Sequence, residues 1–164
     1  MPTHGRGWAP SGRPGRLRAT YSRRQGIRYL VACLDVHADR LRARLRPTRN
    51  GRSTLTFMQS IRLAYPRSQR IYWIQDNLSC HWTPAIREWA QANNVELVPT
   101  PTYASYLNRI ECHFGPIAEF VVKNADYLDW DAFGFALARH IGQRNGPERE
   151  ERITRAERRR LVAA

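Results

Sequence analysis

No acidic side chain occurs before Asp35, and lysine is almost missing from the chain: of its 27 basic residues only Lys123 is not arginine. Choosing arginine over lysine can follow from genome base composition. The excess of 27 bases over 14 acids, a net charge of +13, cannot. It is also uneven. Residues 1–24 hold six arginines and no acid, and residues 25–68 hold nine arginines against Asp35 and Asp39. Residues 69–145 are slightly acidic, with eight acids against six bases. A basic front and a mildly acidic centre suit a polyanion-binding surface around a carboxylate site.

Other absences narrow the class. Three cysteines are too few and too odd in number for a disulfide framework, and they read as reduced thiols of a cytoplasmic protein. No apolar run approaches the roughly 18 residues of a membrane span. The first thirty residues are rich in Arg, Gly and Pro without an apolar segment, so they are not a secretory signal. A hydrophobic fraction of 42% excludes disorder throughout and supports one core.

The chain divides into a basic, irregular segment over 1–24, a folded region over 25–145 and a charged tail over 146–164. Ala19–Tyr21 reads as a short strand. Residues 28–36 form a near-continuous apolar run, as expected of a strand buried on both faces. Residues 40–46 alternate Leu41, Ala43 and Leu45 with Arg40, Arg42, Arg44 and Arg46, the pattern of a hairpin's second strand. Those four guanidiniums could grip DNA phosphates or simply block edge-to-edge pairing. Phe57, Met58, Ile61, Ala64 and Tyr65 mark a helix that Pro66 stops. A strand over 70–76 ends in Asp76-Asn77. Thr83-Pro84 opens a helix carrying Ile86, Trp89 and Ala90, with Thr83 as its cap. A strand over 95–98 follows, then a proline-rich loop. Ile110, Phe114, Ile117 and Val121 give a helical stripe, and Trp130, Phe133, Leu137 and Ile141 a last helix capped by Asp129. The order describes a mixed sheet flanked by helices.

Asp76 closes an apolar strand, and Glu111 opens a helix 34 intervening residues later. One helix, one strand and one loop fill that gap, enough to return the chain to the same sheet edge. Two converging carboxylates repel unless a divalent cation lies between them, and oxygen donors suit Mg²⁺ or Mn²⁺. Cys80-His81 and Cys112-His113 lack the spacing of zinc knuckles, which argues against zinc.

The words around these acids carry more. Asp76-Asn77-Leu78-Ser79-Cys80-His81, and then the stretch from Pro99 to Leu107-Asn108-Arg109-Ile110-Glu111, resemble the DDE transposases of bacterial insertion sequences related to mariner. Gly7-Trp8-Ala9-Pro10-Ser11-Gly12 is similar to a Trp-x-Pro-x-Gly segment of that family. The resemblance spans residues 6–145. It implies an RNase H-like α/β fold and Mg²⁺- or Mn²⁺-dependent cutting and joining of double-stranded DNA, with no membrane and with a homodimer allowed. By it Asp76 is the second catalytic acid and metal ligand and Glu111 the third. Asn77, His81 and Asn108 are supporting residues, and Trp8 could stack on DNA.

The family's first acid precedes the Trp-Pro-Gly segment, and no acid stands there. Asp35 ends a strand as a catalytic aspartate would, but by the match it opens a hairpin turn and reads as a turn residue. The expectation is therefore a truncated catalytic part whose first strand is missing. The alternative is a catalytically inactive DNA-binding remnant without the first Asp. Two departures from the family pattern accompany this: Ala104-Ser105-Tyr106 replaces Ser-Pro-Asp, and Pro116 should kink the helix that carries Glu111.

Overall fold

The computed structural model describes residues 11–12, 26–102, 107–123 and 125–147. The expected strand at 19–21, most of the 1–24 segment and most of the 146–164 tail lie outside the described residues. The chain divides into two units. One contains Leu34–Arg42 and His113–Ala164 among its parts; the other is Ile27–Cys33 with Ala43–Cys112.

The described strands form two separate two-stranded sheets rather than one mixed sheet. β1 (Tyr29–Asp35) pairs with β2 (Arg40–Arg46). Four residues connect them, too few for a parallel crossover, so the pair is an antiparallel hairpin. β1 is half-buried at every position instead of sandwiched on both faces. A strand of a two-stranded sheet has one neighbour, so its apolar composition does not by itself bring a second cover.

The second sheet pairs β3 (Ile71–Gln75) with β4 (Val95–Pro99) in parallel, in register from Ile71 opposite Val95 to Gln75 opposite Pro99. Between them run a 3₁₀ turn (Ser79–His81) and helix α2 (Pro84–Ala92). Asn94 turns the chain from α2 into β4 in the left-handed region, at φ 55°, which asparagine tolerates.

Helix α1 (Gly51–Arg62) starts six residues before the first apolar residue of the predicted stripe, because Asn50 caps it. The Asn50 side chain accepts from the Ser53 N–H at 2.9 Å. The helix ends at Arg62, before Pro66 is reached. Phe57, Met58 and Ile61 of α1, with Ile86 and Ala90 of α2 and Val95 of β4, form the core of this unit. Phe57, Met58 and Ile86 are at most 1% exposed, each stabilising the fold by roughly 1.5–3 kcal/mol through burial. Where α1 begins, a Cβ on Gly51 would lie 2.4 Å from the Thr83 methyl, so only glycine allows this approach. Thr83 occupies the cap position of α2, as expected, yet makes no capping bond with its side chain. Its methyl lies against Gly51 instead.

Arg62 is 7% exposed and has no carboxylate among its hydrogen-bond partners. Its guanidinium donates to the carbonyls of Asn93 at 2.9 Å, Pro66 at 2.7 Å and Gln69 at 3.2 Å. It thus ties the end of α1 to the end of α2 and to the turn leading into β3.

In the first unit, α3 (Glu111–Ile117, whose first two residues belong to the other unit) runs into a π-helical turn (Ala118–Val122). Pro116 sits inside α3 and has no N–H to give to the previous turn. The wider winding follows at once, with the Lys123 N–H bonding the Ala118 carbonyl at 2.8 Å. Helix α4 (Trp130–Asn145) is capped by Asp129, which accepts from the Ala132 N–H at 2.8 Å. The end of α4 grips the hairpin tip. Arg144 donates to the Asp39 carboxylate and carbonyl, and the Asn145 amide exchanges two bonds with the Leu41 backbone at 2.8 and 2.9 Å. On the π turn, exposed Phe120 stacks on His140, with ring centroids 5.8 Å apart.

Two stability measurements follow. Arg62→Leu takes a donor from three carbonyls, of which only that of Pro66 keeps another among the described residues, the Gln69 N–H, so urea denaturation should show a loss of about 2–4 kcal/mol. Burial holds the His140 pKa below its ordinary value of 6.5. The unfolded chain therefore takes up the proton first, and this contribution, present above the ordinary histidine pKa, is lost as pH falls through the lower folded value. His140→Gln should flatten the drop in melting temperature between about pH 7.5 and about pH 5.5.

Candidate active site

Because β3 and β4 are parallel, both strands end at one edge, and Asp76 is the first residue past β3 there. The pairing runs one step further: the Thr100 N–H donates to the Gln75 carbonyl at 2.9 Å. The Asn77 side chain then continues it, its Nδ2 donating to the Thr100 carbonyl at 3.0 Å. Thr100 is 5% exposed, so that carbonyl is shielded from water. Asn77 is a latch that fixes where the chain leaves β4 for the loop toward Glu111.

After Asn77 the 3₁₀ turn folds back over the end of β3. His81 Nδ1 lies 2.6 Å from Asp76 Oδ1. A carboxylate accepts, so Nδ1 carries the proton of this bond. The same oxygen also accepts from the Leu78 N–H at 3.3 Å. Asp76 is 37% exposed and His81 25%, a partly shielded pair open to solvent on one side. Two further side chains close the segment. Gln75 Nε2 donates to the His81 carbonyl at 2.9 Å, and Trp82 Nε1 to the Asp76 carbonyl at 2.8 Å. Sequence reasoning passed over Gln75 and read Trp82 as a core residue or a stacking partner for DNA bases, not as a hydrogen-bond donor to Asp76. The one available signal was Gln75 itself, a polar residue inside an apolar strand.

Glu111 begins α3, with its N–H donating to the Asn108 carbonyl at 3.0 Å. Asn108 Oδ1 accepts from the Ile110 N–H at a long 3.5 Å, so Asn108 shapes the entry to the helix. Buried Ile110 anchors that entry, while the Glu111 side chain is exposed and carries no hydrogen bond among the described residues. Residues 103–106 of the connecting loop, with Ala104-Ser105-Tyr106, are outside the described residues, as is Trp8.

The structure thus brings Asp76, Asn77 and His81 together at the carboxyl edge and sets Asn108 with Glu111 at the start of α3. Asp35 stands at the hairpin turn, where its Oδ1 accepts from the His37 and Ala38 N–H groups at 3.0 and 2.9 Å. Arg40 and Arg44 of β2 are exposed, and Arg42 and Arg46 half-buried.

Chemically, Asp76 keeps one carboxylate oxygen outside these bonds and Glu111 keeps both. Hard oxygen donors of this kind fit a divalent cation such as Mg²⁺ or Mn²⁺. No group of three or more His, Cys, Asp or Glu able to hold a metal occurs among the described residues. The Cys-His pairs form no zinc cluster there: His81 is engaged by Asp76, and Cys112 Sγ donates to the Arg109 carbonyl at 3.1 Å.

These features define a mixed α/β protein with an Asp76–His81 pair at the carboxyl edge of two parallel strands. The sequence model of the DDE superfamily endonucleases matches residues 1–133, and the chain belongs to that family. Among solved structures, it is similar to a chain in the cryo-EM structure of the simian T-cell lymphotropic virus intasome in complex with PP2A regulatory subunit B56 gamma. The likeness covers 67% of this chain and 41% of that chain, with a TM-score of 0.54 and 10% identity. At that identity it speaks to the fold alone. No curated protein matches the chain.

Removing the Asn77 latch should be visible in stability. Asn77→Ala leaves the shielded Thr100 carbonyl without a donor, a loss of about 1–3 kcal/mol in urea denaturation. Asn77→Asp sets a carboxylate against that carbonyl and should lose more.

Proposed function

We propose that this chain is the catalytic part of a DDE transposase of the bacterial insertion sequences related to mariner. It cleaves DNA phosphodiesters with a divalent metal and joins the liberated 3′-hydroxyl to target DNA. Membership of the DDE endonuclease family is the observation that carries the reading. The motif words at Asp76 and Glu111 supply the transposase subtype, and the RNase H-like arrangement is part of the same proposal. Residues 25–145 form the catalytic region, with 1–24 as a basic DNA-facing segment and 146–164 as a charged tail. Double-stranded DNA is the proposed partner, and the cytoplasm the proposed compartment.

In this reading Asp76 and Glu111 hold Mg²⁺ or Mn²⁺, which when bound activates the attacking water and stabilises the leaving oxygen of the phosphodiester. The protein's own share is positional. His81 and the Leu78 N–H hold one oxygen of Asp76, leaving the other for the metal. Asn77 fixes the exit from β4, and Asn108 the entry to α3, so Glu111 is offered from a set backbone. Arg40 and Arg44 lie exposed on β2, where they can contact DNA phosphates.

A second reading has its own support. Asp35 Oδ1 is held by two N–H groups of the hairpin turn, which counts against Asp35 as a further metal-binding acid and toward a catalytically inactive DNA-binding remnant.

The test is nicking of supercoiled plasmid DNA in Mn²⁺. The enzyme reading expects nicking that falls about 100-fold or more in both Asp76→Ala and Glu111→Ala, with DNA binding kept. DNA binding with no nicking by the wild-type chain selects the remnant.

A further inference from the structure

We propose that Gln75 and Trp82 are positioning residues that aim the free carboxylate oxygen of Asp76 at a divalent cation; this rests on the reading of Asp76 as a metal ligand. The direction of a carboxylate is set by its own main chain and by whatever grips its other oxygen. At Asp76 each has a dedicated side-chain holder. The last bond of the strand ladder reaches only the Gln75 carbonyl. The Asp76 carbonyl lies past that ladder, and the Trp82 indole N–H takes it at 2.8 Å. The gripped oxygen, Oδ1, depends on the His81 imidazole at 2.6 Å. His81 depends in turn on Gln75, whose Nε2 holds its carbonyl at 2.9 Å.

The two bonds cross the same segment in opposite directions. Gln75 reaches forward six residues, and Trp82 reaches back six. Residues 75–82 are thereby closed into a loop whose two ends clamp the Asp76–His81 pair from both sides. Gln75 is 4% exposed, so its bond faces little competition from water. Among the described residues its Oε1 is buried without a partner, and donation to His81 is the one hydrogen bond its side chain makes there. A residue held at that cost contributes little as an apolar filler; its identifiable contribution is the grip on His81. Supports of this kind around a ligating carboxylate typically change metal affinity about 10–100-fold when removed.

The experiment measures Mn²⁺ binding to the full chain by electron paramagnetic resonance of the free ion, well below the melting temperature. Trp82→Phe keeps an aromatic ring and removes the N–H; Gln75→Leu keeps a side chain of similar size and removes the donor. Each is expected to weaken Mn²⁺ binding about tenfold. Arg62→Leu, which loosens the fold away from the site, is expected to bind Mn²⁺ as the wild type does, which separates positioning from general destabilisation. Affinity within about twofold of wild type in a folded Trp82→Phe or Gln75→Leu overturns the assignment of that residue. Should Trp82→Phe not fold, Gln75→Leu alone decides the clamp. Asp76→Asn is the separate check on the underlying reading. If it binds Mn²⁺ like the wild type, Asp76 is not a ligand, and that reading fails whatever the other variants do. If it loses Mn²⁺ while both clamp variants keep it, only the clamp is overturned.

Discussion

The parallel pairing of β3 with β4, ending at Gln75 opposite Pro99, is the constraint on which the site depends. Parallel strands place both carboxyl ends at one edge, so the chain emerges there twice, first at Asp76 and again at Thr100. The two exits are joined by hydrogen bonds: the Thr100 N–H to Gln75, and the Asn77 side chain to the Thr100 carbonyl. Whatever Asp76 and the loop toward Glu111 do together, they begin from these two tied points. An antiparallel pairing of the same strands would have sent the second exit to the opposite end.

What surrounds Asp76 is a local design of short reach. Residues 75–82 satisfy one another: carboxylate to imidazole, amide to carbonyl and indole to carbonyl. Such a closed segment resists distortion because each bond limits the freedom that breaking another would release. Farther back, Arg62 performs the comparable task for three chain turns at once, binding carbonyls of α1's exit, the turn before β3 and the end of α2. In the other unit, Arg144 and Asn145 secure the hairpin tip in the same manner. In all three places a polar side chain takes over main-chain groups at the point where regular pairing runs out.

Much of the element order was legible because periodicity is local. The apolar runs gave β1, β3 and β4, the alternation gave β2, and the Asp129 and Pro84 signals marked helix starts that the structure has. The misses have nameable causes. The start of α1 lay in Asn50, a polar cap outside the apolar stripe. Thr83 stands at its cap position without capping, because the approach of Gly51 turns its side chain to packing. β1 reads as fully buried from composition alone, but burial depends on neighbours, and the described neighbour is one strand.

The site divides in the same way. Sequence alone determined that an aspartate would close an apolar strand and that a glutamate would open a later helix, since each follows from residue type and immediate context; the turn reading of Asp35 came from the family resemblance. Only tertiary structure decided that the two strands run parallel, that Asn77 latches the second exit, and that Gln75 and Trp82 clamp the segment around Asp76. Those are relations between main-chain groups several residues apart or on different strands, and a carbonyl looks the same at every position of a sequence until folding gives it a partner.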